Sequence, residues 1–166
     1  MRGKVALAAV AAFLVSGPAL GQELEKLNVF GTEMAVKTDG SRTGGSAAAV
    51  EATVKPGSGP PKHVHSREDE IFYIIEGRFR LWRGEETLDV GEGAVAFLPR
   101  NVPHTYQNIG NTPGRLLVVI TPAGLEGFFR EASQRGLAPE RDMTDIAALA
   151  GRYGLTFVGP PPQASK

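Results

Sequence analysis

Three histidines and one glutamate are the residues of this sequence best placed to do chemistry. His63 and His65 stand at i and i+2, so on a β-strand both imidazoles point to one face. Glu70 follows them closely, and His104 comes later, directly behind Pro103. Together they offer three neutral nitrogens and one carboxylate, a donor set suited to a divalent Fe, Mn, Ni, Co or Zn ion. The chain has no other histidine and no cysteine. Disulfides, thiolate nucleophiles and sulfur-ligated metals are therefore excluded, and any metal must be held by nitrogen and oxygen. A His-x-His pair alone is also common on plain strand surfaces; the glycines and prolines around this one set it apart.

Ligands of this kind are held best by rigid elements, and the sequence supplies short strands. Its 166 residues include 21 Gly and 12 Pro, about a fifth of the chain against a usual share of roughly 12%. With 42% hydrophobic residues the chain can still fold, so the excess of Gly and Pro points to many tight turns between many strands. Ala47–Val54, Ile71–Ile75, Phe79–Trp82, Thr87–Val90, Ala94–Leu98, Thr105–Asn108 and Leu116–Ile120 read as strands, separated by Gly- and Pro-containing turns. That series predicts an all-β sandwich or barrel in one domain. After Pro122 the texture changes. Leu125, Phe128, Phe129 and Ala132 recur at helical spacing, predicting a helix that ends near Gly136. Thr144 is expected to cap a second short helix with Ile146, Leu149 and Ala150 on one face. Gly159-Pro160-Pro161-Pro162 reads as a polyproline exit to a polar tail.

The stretch from Gly57 to Asn108 resembles the cupin superfamily, whose two sequence motifs occur here in order. Gly57, His63, His65, Glu70 and Gly77 stand at every fixed position of the first motif. Gly93, Pro99, His104 and Asn108 match the second, where the family usually has a glycine at the position of Asn101. Asn is the residue that best tolerates positive φ after glycine, so the turn is expected to survive. The resemblance implies a double-stranded β-helix, or jelly-roll barrel, with one or two short C-terminal helices packed over its mouth. It implies His63, His65, Glu70 and His104 as ligands of one transition metal ion, with coordination positions left for water, O2 or substrate. Segments such as His65–Gly77, Pro99–His104 and Pro122–Phe129 are similar to single-domain cupins of the quercetin 2,3-dioxygenase-like group. In that group the corresponding glutamate can also take a proton from a substrate hydroxyl, which makes Glu70 a candidate base as well as a ligand.

The implied activity is a metal-dependent dioxygenase that opens a flavonol-like or other enol or phenol substrate with O2. The alternatives are a non-redox cupin, isomerase or lyase, and a small-ligand-binding cupin without catalysis. Phe72 and Ile74 share the strand face of Glu70, and Phe97 with Pro99 is expected to add to the same dry wall. Tyr73, Trp82 and Tyr106 read as packing residues, and Glu68 and Asp69 as solvated turn residues. Arg78, Arg80 and Arg83 are expected on a solvated or dimer-facing strand, and a homodimer is the expected assembly.

The N-terminus reads as an address. Arg2 and Lys4 precede an apolar run from Val5 to Val15, then Ser16-Gly17-Pro18, with small residues before a cleavage site after Gly21. The run is too short to cross a bilayer, and no stable membrane anchor is expected. The expected organisation is a signal peptide over 1–21, a barrel over 22–124 with its motif core at 57–108, and a helical segment with a proline-rich tail over 125–166, in a periplasmic or secreted protein. With 18 basic and 18 acidic residues and no basic cluster, nucleic acid is not an expected partner; a small molecule is.

Overall fold

The computed structural model describes residues 24–162; the expected leader and its cleavage site lie outside them. The chain forms β1 (Glu25–Val29), β2 (Thr32–Thr38), α1 (Gly40–Thr43), β3 (Ala48–Val54), β4 (His63–His65), β5 (Asp69–Glu76) and β6 (Phe79–Arg83). It continues through β7 (Glu86–Val90), β8 (Val95–Leu98), β9 (His104–Asn108), β10 (Gly114–Thr121), α2 (Glu126–Gln134), α3 (Pro139–Arg152) and β11 (Leu155–Phe157). Strict alternation of buried and more exposed residues along β3 and β10 is the period of a strand with one face in a core.

All the pairings are antiparallel and make two sheets, one ordered β1-β2-β3-β10-β5-β8 and the other β11-β4-β9-β6-β7. The sheets face one another: Phe72 of β5 meets Tyr106 of β9 edge-on, ring centres 5.6 Å apart. Phe72, Ile74, Leu116 and Ile120 from one sheet and Phe79 and Leu81 from the other are buried between them. This is the jelly-roll barrel expected from the sequence. Gly57 and Gly77 turn with φ of 72° and 92°, backbone that a side chain would strain.

The C-terminal region departs from expectation at its start and at its end. The second helix begins at Pro139, whose fixed φ suits a first helical turn. Thr144 therefore lies inside it rather than at its cap, and a kink at Asp142 marks the junction. After that helix β11 returns to the barrel and pairs with β4, placing Leu155 opposite His65 and Phe157 opposite His63. A second unexpected element is the β1–β2 hairpin, tied to α2 where Arg130 holds Glu25 and Asp39 at 2.8 and 2.6 Å. No helix among the described residues is long and apolar enough to cross a membrane.

Candidate metal centre

The barrel brings the four singled-out residues to one point. His63 and His65 lie on β4, and β9 pairs beside it with His104 opposite His63. Glu70 comes from β5 in the facing sheet. One ligand atom from each of the four lies within 4.8 Å of all the others, and all four residues are buried.

Several local contacts aim these side chains. The loop before β4 is laced to β9: Thr105 Oγ1 donates to the Pro60 carbonyl at 2.6 Å, and Gln107 Nε2 to Gly57 at 3.0 Å. The Asn108 amide donates to the carbonyls of Val54 and Thr112, both at 2.9 Å. At the far side of the site Asn101 takes φ 63°, as its tolerance of positive φ predicts, and donates its N–H to the His65 carbonyl at 2.7 Å. Arg100 beside it grips Asp69 at 2.7 Å, and this guanidinium holds the Asp69 carboxyl at about 2, well below its ordinary value.

The hydrogen bonds also fix which nitrogen faces inward. His63 Nδ1 lies 2.7 Å from the Pro61 carbonyl, and His104 Nδ1 lies 2.9 Å from that of Val102. A carbonyl only accepts, so each ring donates from Nδ1 and keeps its Nε2 lone pair for the interior. Yet His104 Nε2 stands 3.1 Å from Glu70 Oε2. Two lone-pair-bearing atoms so close repel unless a cation, a proton or a metal ion, neutralises the contact. His65 Nε2, buried and 3.6 Å from the same oxygen, has no hydrogen-bond partner at all. Unpaired buried acceptors of this kind fit a bound metal ion.

The charge states of His63 and Glu70 agree with that fit. Burial, reinforced by the other two histidines, pushes His63 down to about 3, so it is a neutral imidazole. Burial works to raise the Glu70 carboxyl, but a proton on His104 Nε2, where no ion takes its place, and the charge of the surrounding histidines outweigh it and hold the group below its ordinary value. Burial also opposes a charge on His65, and there Glu68 and Glu70 prevail, so its pKa is raised.

Three sequence expectations are corrected here. Glu68 is not a solvated turn residue: only 4% of it is exposed, and it faces His65. Asp69 belongs to β5 and to the Arg100 ion pair. Phe97 is half exposed, because the pleat of β8 turns Leu98 inward and Phe97 out. The motif spacing singles out Glu70 from the acidic run Glu68-Asp69-Glu70, but it does not signal that Glu68 is buried as well.

A cavity of about 530 Å³ opens onto His63, His65 and Glu70. Its walls are aromatic, from Phe30, Phe72, Tyr106, Phe128, Phe129 and Phe157, with Pro160 and Pro161 at the rim. Phe72 was expected on this wall. Phe30, from the β1–β2 turn, and Phe157, from the last strand, were not. Tyr106, expected as packing, packs against Phe72 and also borders the cavity. Among the described residues no lysine or arginine lines it.

Comparison with known proteins places this geometry. Residues 50–120 match the family model described as Cupin domain. A quercetin 2,3-dioxygenase of Aspergillus japonicus is 38% identical over 72 residues, 40% of this chain and 20% of that one. An uncharacterized protein of Methanocaldococcus jannaschii is 37% identical over 73 residues, 44% of this chain and 58% of its own. The matched part thus spans less than two thirds of either relative. Among solved structures, an RmlC-like cupin from Shewanella frigidimarina superposes with a TM-score of 0.55 over 66% of this chain and 93% of its own. At 21% identity that likeness shows the fold alone.

Proposed function

Because residues 50–120 match the Cupin domain family, we propose that this chain is a metal-dependent oxidoreductase, a dioxygenase that opens a flavonol-like or other enol or phenol substrate with O2. The observation that carries this reading is the aromatic cavity, with no lysine or arginine among its described lining residues, that opens onto His63, His65 and Glu70 of the four-residue donor set. Away from the ion, a phosphorylated sugar or a small dicarboxylate would find no lysine or arginine among the described lining residues to take up its remaining charge, and Glu140 would oppose it. A flat phenolic ring finds apolar walls on several sides. The likeness to a quercetin 2,3-dioxygenase points the same way.

Each residue then has a role. His63, His65, Glu70 and His104 would hold the ion, with His63 and His104 presenting Nε2 because their Nδ1 protons are committed to carbonyls. The ion supplies Lewis acidity toward a substrate oxygen and, if redox-active, a partner for O2. Glu70, ionised at neutral pH and bordering the cavity, accepts the proton of the substrate hydroxyl at a carboxylate oxygen. Burial first, and the charge of Glu70 second, keep the Tyr106 phenol protonated well above its ordinary range. It is thus a hydrogen-bond donor toward a substrate oxygen. Phe72, Phe128 and Phe129 exclude water from the reacting face.

The test is oxygen uptake by purified protein loaded in turn with Fe, Mn, Co or Ni and given a panel of flavonols. One O2 consumed per flavonol lost, with at least one ion, is the expected result. Tight flavonol binding with no uptake under any ion would point instead to a non-redox or ligand-binding cupin.

A further inference from the structure

Each of the three histidines has a group facing its outer nitrogen, and one of these groups differs in kind. His63 and His104 donate Nδ1–H to the backbone carbonyl two residues earlier, Pro61 and Val102. His65 Nδ1 faces a carboxylate instead: Glu68 Oε2, 3.7 Å away. Neither atom has any other hydrogen-bond partner, and both are sealed from solvent. At 3.7 Å the contact is longer than a formed hydrogen bond, and it joins a ring nitrogen and a carboxylate oxygen that each lack any other partner.

A buried carboxylate oxygen with no partner is costly to keep. Glu68 lies in the bend between β4 and β5, where an acidic side chain would ordinarily turn out to water. Here its side chain turns in, and its Oε2 lies 3.7 Å from a ring nitrogen able to donate. Two carboxylates, Glu68 and Glu70, therefore flank His65 from opposite sides of its ring, 3.7 Å from Nδ1 and 3.6 Å from Nε2.

We propose that Glu68 is a positioning residue of the centre: its carboxylate accepts the Nδ1 proton of His65, fixes the tautomer that turns Nε2 toward the other donors, and adds the second negative charge that balances a divalent ion. This assignment rests on the reading of His63, His65, Glu70 and His104 as a metal centre. Partners of this kind orient a ligand ring and strengthen its donor nitrogen, and their loss typically weakens metal binding by about 10- to 100-fold. Backbone carbonyls do the same work for His63 and His104, but they are neutral. Glu68 is thus the one outer partner whose charge can be removed without altering the main chain.

The experiment compares the protein with Glu68→Gln and Glu68→Ala by chelator competition for Zn2+, together with 15N shifts of the histidine rings in the Zn2+-loaded protein. Gln keeps the size of the side chain and an accepting oxygen while removing the charge. Zn2+ affinity is expected to fall about tenfold in Glu68→Gln and further in Glu68→Ala, within the range typical of such partners. The thermal midpoint of the metal-free protein should not fall in Glu68→Gln, and the parent should show His65 protonated at Nδ1. Affinities within twofold of the parent in both variants, or an unprotonated His65 Nδ1 in the Zn2+-loaded parent, would overturn the role of Glu68 and leave the centre standing. A lower metal-free midpoint in Glu68→Gln with unchanged affinity would show a purely structural residue and also overturn it. A parent that binds no Zn2+ would overturn both.

Discussion

His63 and His104 show how much of a metal site is decided by single atoms. Their Nδ1 protons go to carbonyls two residues back, and this alone turns their second nitrogens inward. A donor pattern of this kind is legible in sequence as residue type and spacing. What was not legible is the third dimension of a short bend. Glu68, Asp69 and Glu70 are alike in chemistry, and only the path of the chain buries the first and last while giving the middle one to Arg100. Asn101 is a test at this scale. Its φ of 63° suits Asn and Gly but not a β-branched residue, and its N–H holds the strand that carries His65. Asn101→Gly should fold with an unchanged melting temperature within a degree or so. Asn101→Val should lose about 1 kcal/mol, lowering the midpoint by about 2–4 °C in calorimetry.

Among the elements, those with long apolar alternation are legible in the sequence, and those set by tertiary contact are not. β3, β5 and β10 announce themselves because half of each is buried against the facing sheet. β11 has three residues and no pattern of its own; it is a strand because β4 offers it an edge. α3 is two helical stretches joined at the kink at Asp142: Pro139 begins the first, which the sequence does not signal, and the second starts beside Thr144 and buries Ile146, Leu149 and Ala150 as expected. The β1–β2 hairpin is held to α2 through Arg130, which bridges Glu25 and Asp39. The hydrogen bond from Ser41 first, and then Arg130, lower the Asp39 carboxyl from 3.8 to about 2. A folded-state value below the unfolded one means that Asp39 stabilises the fold fully above its unfolded pKa and loses that contribution as pH falls through about 2. Asp39→Asn should therefore melt earlier than the parent at pH 7. The gap should narrow between pH 4 and pH 2 in a series of thermal melts; a gap that stays constant would show that ionisation of Asp39 contributes nothing.

For the molecule as a whole, the barrel and its appended segments make one working unit. The two sheets bring β4, β5 and β9 to a common point, and the hairpin, the helices and the proline-rich exit wall the space in front of it. The sequence carried the barrel and the four donors through the motif spacing from Gly57 to Asn108. It did not carry the cavity, whose walls come from Phe30 near one end of the described chain and Phe157 near the other. No local pattern joins residues so far apart. The central claim is that four side chains from three strands hold one transition metal ion. It is tested most directly by elemental analysis of the metal-loaded protein beside His104→Ala and Glu70→Ala, with circular dichroism to confirm that each variant keeps the β fold. About one ion per chain in the parent, and its loss from both variants, is the predicted result. Equal metal content in all three, or none in the parent, would contradict it.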